Sequence, residues 1–286
     1  MKSLFAIVVA AALVIPSLGA PAPSGTLEQI KSSGTVRIGY RQAEPPMSFD
    51  DENGTPVGYT IDLCARIVTA IKTELGLAEI EVAYVPVTAS DRFQALIENK
   101  IDILCGSTTK TLSRARLVDF TQLTFATGAS LMSLDAAPIA NLADLQGKKV
   151  AVIKDTTTIE ALRTALKDRL TEAEIVPVDT TDEGMRLLRD GEVAAFSADQ
   201  VVLIGLVLMA KDREGFGVSP NFFSYEPFAL AVRRNDADFR LLADSVLSHL
   251  YRTGQINEIY NKWFGIFAKK KPVMIEALYR LNATPE

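Results

Sequence analysis

Stretches of strand character alternate with stretches of helical character, and the alternation runs once and then starts again. The first run reads as a strand at 36–40 and a helix carrying Ile61, Cys64, Val68, Ile71 and Leu75 on one face, stopped by Gly76. A strand at 81–85, a helix over 90–99 with Phe93, Leu96 and Ile97 on one face, and a strand at 101–105 complete it. The second run gives a strand at 149–153, a helix at 159–166, a strand at 174–178, a helix at 184–189, a strand at 193–196 and an apolar helix at 201–210. A short helix over 26–33, closed by Gly34, precedes the first run; a strand at 228–232 and two helices, 236–253 and 257–264, close the chain. Strands separated by helices pair in parallel through right-handed crossovers, so each run is a βαβαβ unit of roughly 100 residues. The apolar stretch 201–210 is too short to cross a bilayer and reads as buried. No low-complexity spacer divides the two units, which predicts two compact lobes with a cleft and a hinge. In open α/β units ligands lie beyond the carboxyl ends of the strands.

Composition narrows the functions this architecture can serve. With Lys+Arg at 30 and Asp+Glu at 35 the net charge is −5, a poor match to nucleic acid. One histidine, His249, and two cysteines exclude a Cys/His zinc site and a conventional histidine triad. The P-loop, dinucleotide and HExxH motifs are absent, so neither a cofactor nor a metal is expected. The first 24 residues read as an address: Lys2 is followed by an apolar run to Ile15, then Pro16 and the small-residue stretch Ser17-Leu18-Gly19-Ala20. That order predicts a secretory signal and a flexible leader, and places the mature protein outside the cytoplasm. In an oxidising compartment Cys64 and Cys105 are expected to form a disulfide, the alternative being two separate buried thiols.

The residues at the strand ends carry the chemistry. Arg41 follows the first strand, Ser90-Asp91-Arg92 opens the helix after the second, and the third runs into Gly106-Ser107-Thr108-Thr109 and Arg114. In the second unit the strand ends lead to Asp155-Thr156-Thr157-Thr158, to Asp179-Thr180-Thr181 and to Ser197-Ala198-Asp199. Hydroxyls and free N–H groups at helix starts suit an anion, arginine forks a carboxylate, and Asp199 can hold an ammonium. Together they complement an amino-acid zwitterion. Taken singly each has another reading: the hydroxyls as helix caps, the arginines as solvated surface, Asp199 as the cap of the 201–210 helix.

At these positions the chain resembles the periplasmic substrate-binding proteins of polar amino acid ABC transporters (solute-binding family 3). The resemblance rests on Gly58-Tyr59-Thr60-Ile61-Asp62-Leu63, on Gly106-Ser107-Thr108-Thr109 with Arg114 and then Val118-Asp119-Phe120-Thr121, on residues 142–150, and on 259–265. It covers nearly all of 30–265. It implies a type II two-lobe α/β fold joined by two crossover strands, near 125–133 and 223–231. Residues 25–128 with 226–286 would form lobe 1, and 129–225 lobe 2. Within the family the chain is most similar to the glutamate/aspartate binders, through Val85-Pro86-Val87-Thr88-Ala89-Ser90-Asp91-Arg92 and Cys105-Gly106-Ser107-Thr108-Thr109. By position, the resemblance gives the α-carboxylate to Arg114 with Ser107, Thr109 and Thr157, the α-amino group to Asp199, and a side-chain carboxylate to Arg41 and Arg92. Thr181 stands where acidic-ligand members can place a histidine, Ala89 replaces a serine, and Asp155 replaces a glycine. The expected protein is a monomeric, non-enzymatic periplasmic receptor that takes a free amino acid, glutamate or aspartate, to a membrane permease. Glutamine and asparagine are the competing ligands. A dehydratase of the cyclohexadienyl type on the same scaffold and a sensor domain are the competing functions.

Overall fold

The computed structural model describes residues 25–209, 215–266 and 270–286; the expected signal segment and leader up to residue 24 lie outside them. Helix α1 (Thr26–Ser33) ends on Gly34, whose φ of 72° is the left-handed conformation that closes a helix cheaply only in glycine. Strand β1 (Thr35–Tyr40) follows. The chain then folds a small antiparallel sheet from β2 (Ala43–Glu44), β3 (Ser48–Asp50) and β4 (Pro56–Val57) before entering α2 (Tyr59–Glu74). Strand β5 (Glu81–Pro86), α3 (Arg92–Ile97) and β6 (Ile103–Cys105) complete the first unit, with β5 and β6 both parallel to β1.

The chain next passes a 3₁₀ turn (Arg114–Arg116) into β7 (Val118–Thr127), crosses at Gly128 and continues as β8 (Ala129–Leu134). The second unit is β9 (Lys149–Ile153), α4 (Thr157–Asp168), β10 (Glu174–Val178), α5 (Thr181–Arg189), β11 (Ala195–Asp199) and α6 (Gln200–Met209). Strand β12 (Phe216–Val218) leads back through residues 219–225 to β13 (Glu226–Arg233). Two five-stranded sheets result, ordered β5-β1-β6-β13-β7 and β10-β9-β11-β8-β12. They are built alike: three parallel strands from a βαβαβ run, then an antiparallel strand delivered by a crossing, β13 in one and β8 in the other. The two crossings run side by side, with Thr127 opposite Glu226 and the Ala129 N–H donating to Ser224 Oγ at 3.0 Å.

Helices α7 (Ala237–Thr253), α8 (Ile256–Phe264) and α9 (Val273–Leu281) close the chain. The last is a third terminal helix where the sequence suggested two. It earns its place through Tyr279, which is buried, stacks on Tyr251 and meets the Tyr59 hydroxyl at 2.9 Å. These tyrosines join Phe125, Phe228 and Phe264 in an aromatic core beneath the crossing strands, which also takes Val201 and Val202 from α6. Helix α3 is shorter than the apolar spacing suggested, because its first turn is spent on a loop in which Thr88 N–H donates to Asp91 Oδ1. Cys64 of α2 and Cys105 at the end of β6 form a disulfide. The fully buried Asp102 is a framework acid, paired with Arg37 at 2.7 Å and Arg233 at 3.2 Å. Among the described residues no helix is long and apolar enough to cross a membrane.

Candidate functional site

The carboxyl ends of β1 and β6 from one sheet face those of β9 and β11 from the other. A single cavity between them is lined by Arg41, Arg92, Ser107, Thr109 and Arg114 from one side, and by Thr157, Thr181 and Asp199 from the other. All eight side chains named from the sequence therefore converge. The cavity is about 30 Å³, room for a water or so and not for an amino acid. A larger guest must displace the contacts that close the cleft.

Those contacts can be named. Arg92, 3% exposed, donates to the carbonyls of Ala89 and, at 3.2 Å, Asp155; its guanidinium lies 4.6 Å over the Phe93 ring. Its Nε is buried without a partner. Arg114 donates to the Thr109 carbonyl at 2.9 Å and reaches the Asp155 carbonyl at 3.5 Å. Ser90 Oγ donates to Asp155 Oδ2 at 2.6 Å, so Asp155, held at φ 57° just before α4, is a bridge between the two sides. The sequence marked it as a strand-end acid in place of a glycine, not as a bridge. Thr157 starts α4 and Thr181 starts α5, where Thr180 and not Thr181 supplies the helix cap. Thr181 is thus a buried lining hydroxyl.

Two carboxylates that sequence reasoning did not place in a binding role complete the site. Glu44, 6% exposed, pairs with Arg41 at 2.8 Å and accepts from Ser107 Oγ. Glu226, 2% exposed, accepts from Thr109 at 2.6 Å, Thr157 at 2.7 Å and Ser224 at 2.7 Å. It is the first residue of β13, so one carboxylate at the crossing ties hydroxyls from both sides. Neither acid lies in a legible pattern: Glu44 is brought round by a two-residue strand, and Glu226 precedes Pro227 with nothing to mark it.

The electrostatics follow from burial. Desolvation pulls the Arg92 guanidinium down to about 9, helped by the neighbouring Arg114 and Arg41 charges and opposed by Glu44 and Asp155. Desolvation lowers Arg114 too, with Glu226 and Asp199 opposing. Asp199 is pushed well above the usual carboxylate range by burial first, then by Glu226 and Glu44, with Arg114 and Arg92 giving partial relief. Its Oδ1 is sealed from solvent and has no hydrogen-bond partner. A carboxyl whose charge is only partly offset, beside a buried guanidinium with an unpartnered Nε and hydroxyls at helix starts, can complement a group that brings a cation and a carboxylate together.

The bacterial extracellular solute-binding proteins of family 3 match this chain over residues 36–266. The chain belongs to that family. This solute-binding protein is 35% identical to the L-glutamate/L-aspartate-binding protein of Pseudomonas aeruginosa, over 99% of its own length and 96% of the relative's. Its fold is similar to an ancestral arginine-binding protein bound to arginine (TM-score 0.72, 29% identity, 81% of this chain and 98% of that one). It is also similar to an ancestral amino acid-binding protein described as a precursor of cyclohexadienyl dehydratase (TM-score 0.71, 28% identity, 84% of this chain and 99% of that one). The two-lobe type II α/β architecture expected from the sequence is therefore that of the molecule, and solute-binding proteins of amino-acid ABC transport are its kin.

Proposed function

We propose that this protein captures glutamate or aspartate in the cleft between its lobes and delivers it to an ABC transporter permease in the periplasm, as a monomer and without chemical change to the ligand. The observation that carries the reading is the convergence on one cavity of three arginines, an Asp199 whose Oδ1 is sealed and unpartnered, and hydroxyls at the starts of two helices. Arg114, Ser107, Thr109 and Thr157 would take the α-carboxylate, Asp199 the ammonium, Arg92 with Arg41 the side-chain acid, and Thr181 would line the wall. The name of the Pseudomonas relative supports the choice of ligand. We take 25–128 with 226–286 as one lobe and 129–225 as the other, since the chain crosses between the sheets on either side of 129–225. Closure around a ligand that touches both lobes follows from its differential contacts in the two states.

Calorimetric titration with the twenty amino acids tests this. Glutamate and aspartate should bind one per chain and most tightly, and Arg92→Ala should cost glutamate far more than glutamine. If Arg92→Ala weakens both equally, the side-chain assignment is wrong. A hydro-lyase reading finds one support, the buried Asp199 and Glu44 carboxyls in the same cavity; release of product from prephenate or arogenate would favour it.

A further inference from the structure

The Arg41–Glu44 pair does not fit a site built only to attract acids. Glu44 Oε1 lies 2.8 Å from Arg41 Nη2, and its other oxygen accepts from Ser107 Oγ. Arg41 and Ser107 are both donors that the proposed function assigns to ligand, so a carboxylate of the protein already occupies them. Of the other acids of the cleft, Asp199 would face a ligand ammonium, Asp155 accepts from Ser90, and Glu226 accepts from Thr109, Thr157 and Ser224; among the described residues Glu44 alone of the four forms an ion pair with a cleft arginine. Stability is a poor reason for the pair, since an ion pair this enclosed (side chains 11% and 8% exposed) loses in desolvation most of what it gains in attraction. Nor does the local turn need the Glu44 carboxylate; the Glu44 backbone carbonyl accepts from the Met47 N–H at 2.9 Å whatever the side chain.

Charge at this place changes what a ligand side chain meets. A ligand carboxylate approaching Arg41 also approaches Glu44, and like charges in a partly desolvated site cost several kcal/mol when unrelieved. A carboxamide meets a complementary surface instead: its oxygen accepts from a guanidinium while its NH₂ donates to Glu44. Arg92, on the same wall, has no such direct partner: it donates to the Ala89 and Asp155 carbonyls, and the Glu44 and Asp155 carboxylates act on it only at longer range.

We infer that Glu44 is a specificity-determining residue of the ligand side-chain subsite: by neutralising Arg41 it narrows the preference for acid over amide and admits glutamine or asparagine alongside glutamate and aspartate. This rests on the amino-acid reading above. Selectivity for acids then comes from Arg92, and Arg41 with Glu44 acts as a neutral donor–acceptor pair.

The test is titration of the full mature chain and its Glu44→Gln and Glu44→Asp variants with glutamate, aspartate, glutamine and asparagine, with thermal midpoints recorded for each. Glu44→Gln should raise the ratio of glutamate to glutamine affinity at least tenfold, about 1.4 kcal/mol, by tightening the acid and weakening the amide. Glu44→Asp, which keeps the charge, should leave the ratio within about threefold of the wild type. Glu44→Ser reads the same quantity should Glu44→Gln not fold. A ratio unmoved by loss of the charge, or a loss of glutamate exceeding that of glutamine, overturns the inference and makes Glu44 a positioning residue for Arg41. If the wild-type chain binds none of the four ligands, the proposed function falls as well; if it binds them and only the ratio fails to move, the proposed function stands alone.

Discussion

Asp199→Asn should stabilise the ligand-free protein and weaken it as a receptor. The native carboxyl is held well above the usual range by burial and by the Glu226 and Glu44 charges. Between the unfolded value, about 3.9, and that raised native value the folded chain binds more protons than the unfolded one, so stability falls as pH rises through the window and the full cost is present above it. Asparagine removes the charge. Leaving a buried group unsatisfied costs about 1–3 kcal/mol, more when it is charged, and Asp199 Oδ1 has no partner, so we take the relief as about 1 kcal/mol or more. For a chain of this size that is roughly 2–4 °C per kcal/mol in thermal midpoint. The gain should be larger at pH 8 than at pH 5. The same change deprives a ligand ammonium of its counter-charge, at about 3 kcal/mol or on the order of 10²-fold in affinity. Thermal melts of the free protein at the two pH values, with titration of glutamate, check both halves. A midpoint that drops at pH 8 while affinity stays within about threefold would refute the reasoning and return Asp199 to the role of a helix cap.

Arg114→Ala should cost roughly 3–5 kcal/mol of binding, because it leaves a carboxylate unpaired in the closed cleft; a loss below about tenfold in titration would make it a peripheral residue. Gly205 of α6 has no room for a side chain, since a Cβ there would lie 2.2 Å from the carbonyl oxygen of Pro45, between β2 and β3. Gly205→Ala should therefore hold the lobes apart, enlarging the radius of gyration in small-angle scattering with ligand and weakening binding about tenfold; scattering identical to the wild type at saturation would count against it. Removing the Cys64–Cys105 disulfide, whose ends are 41 positions apart, should cost about 4 kcal/mol in the chain-entropy model, and denaturant melts of the double serine variant measure it.

The parts of the fold that were legible are those where apolar spacing and a stop residue coincide. Helix α2 ends close to Gly76, α7 ends at Gly254, and β1, β5, β9 and β10 fall within a residue of their expected bounds. The small β2-β3-β4 sheet was not legible, because strands of two or three residues have no period to detect. The site was readable as eight strand-end donors and acids, since a doubly built α/β chain fixes where strand ends go. Glu226 was invisible as a member of it and Glu44 could be suspected only as a cleft acid, not as the partner of Arg41 and Ser107, because what places them is the path of a hairpin and of a crossing strand, which are tertiary facts. Asp155 was legible as an acid near the site in place of a glycine; its left-handed backbone, costly for a non-glycine, and its bond to Ser90 across the cleft appear only in the structure.

Strand β13 has a consequence for how the molecule comes into being. It lies between β6 and β7 in its sheet, and among the described residues β7 has no other strand neighbour there. The early part of the chain therefore cannot complete its sheet until residues some 120 positions later in sequence have arrived, whereas the strands from β8 to β12 can assemble with each other first. The middle of the chain should be the early-protected unit in pulse-labelled hydrogen exchange during refolding, with β1, β5 and β6 acquiring full protection only together with β13. A molecule that opens and shuts about its crossing strands would thus also be one whose first-made segment waits longest for its partner.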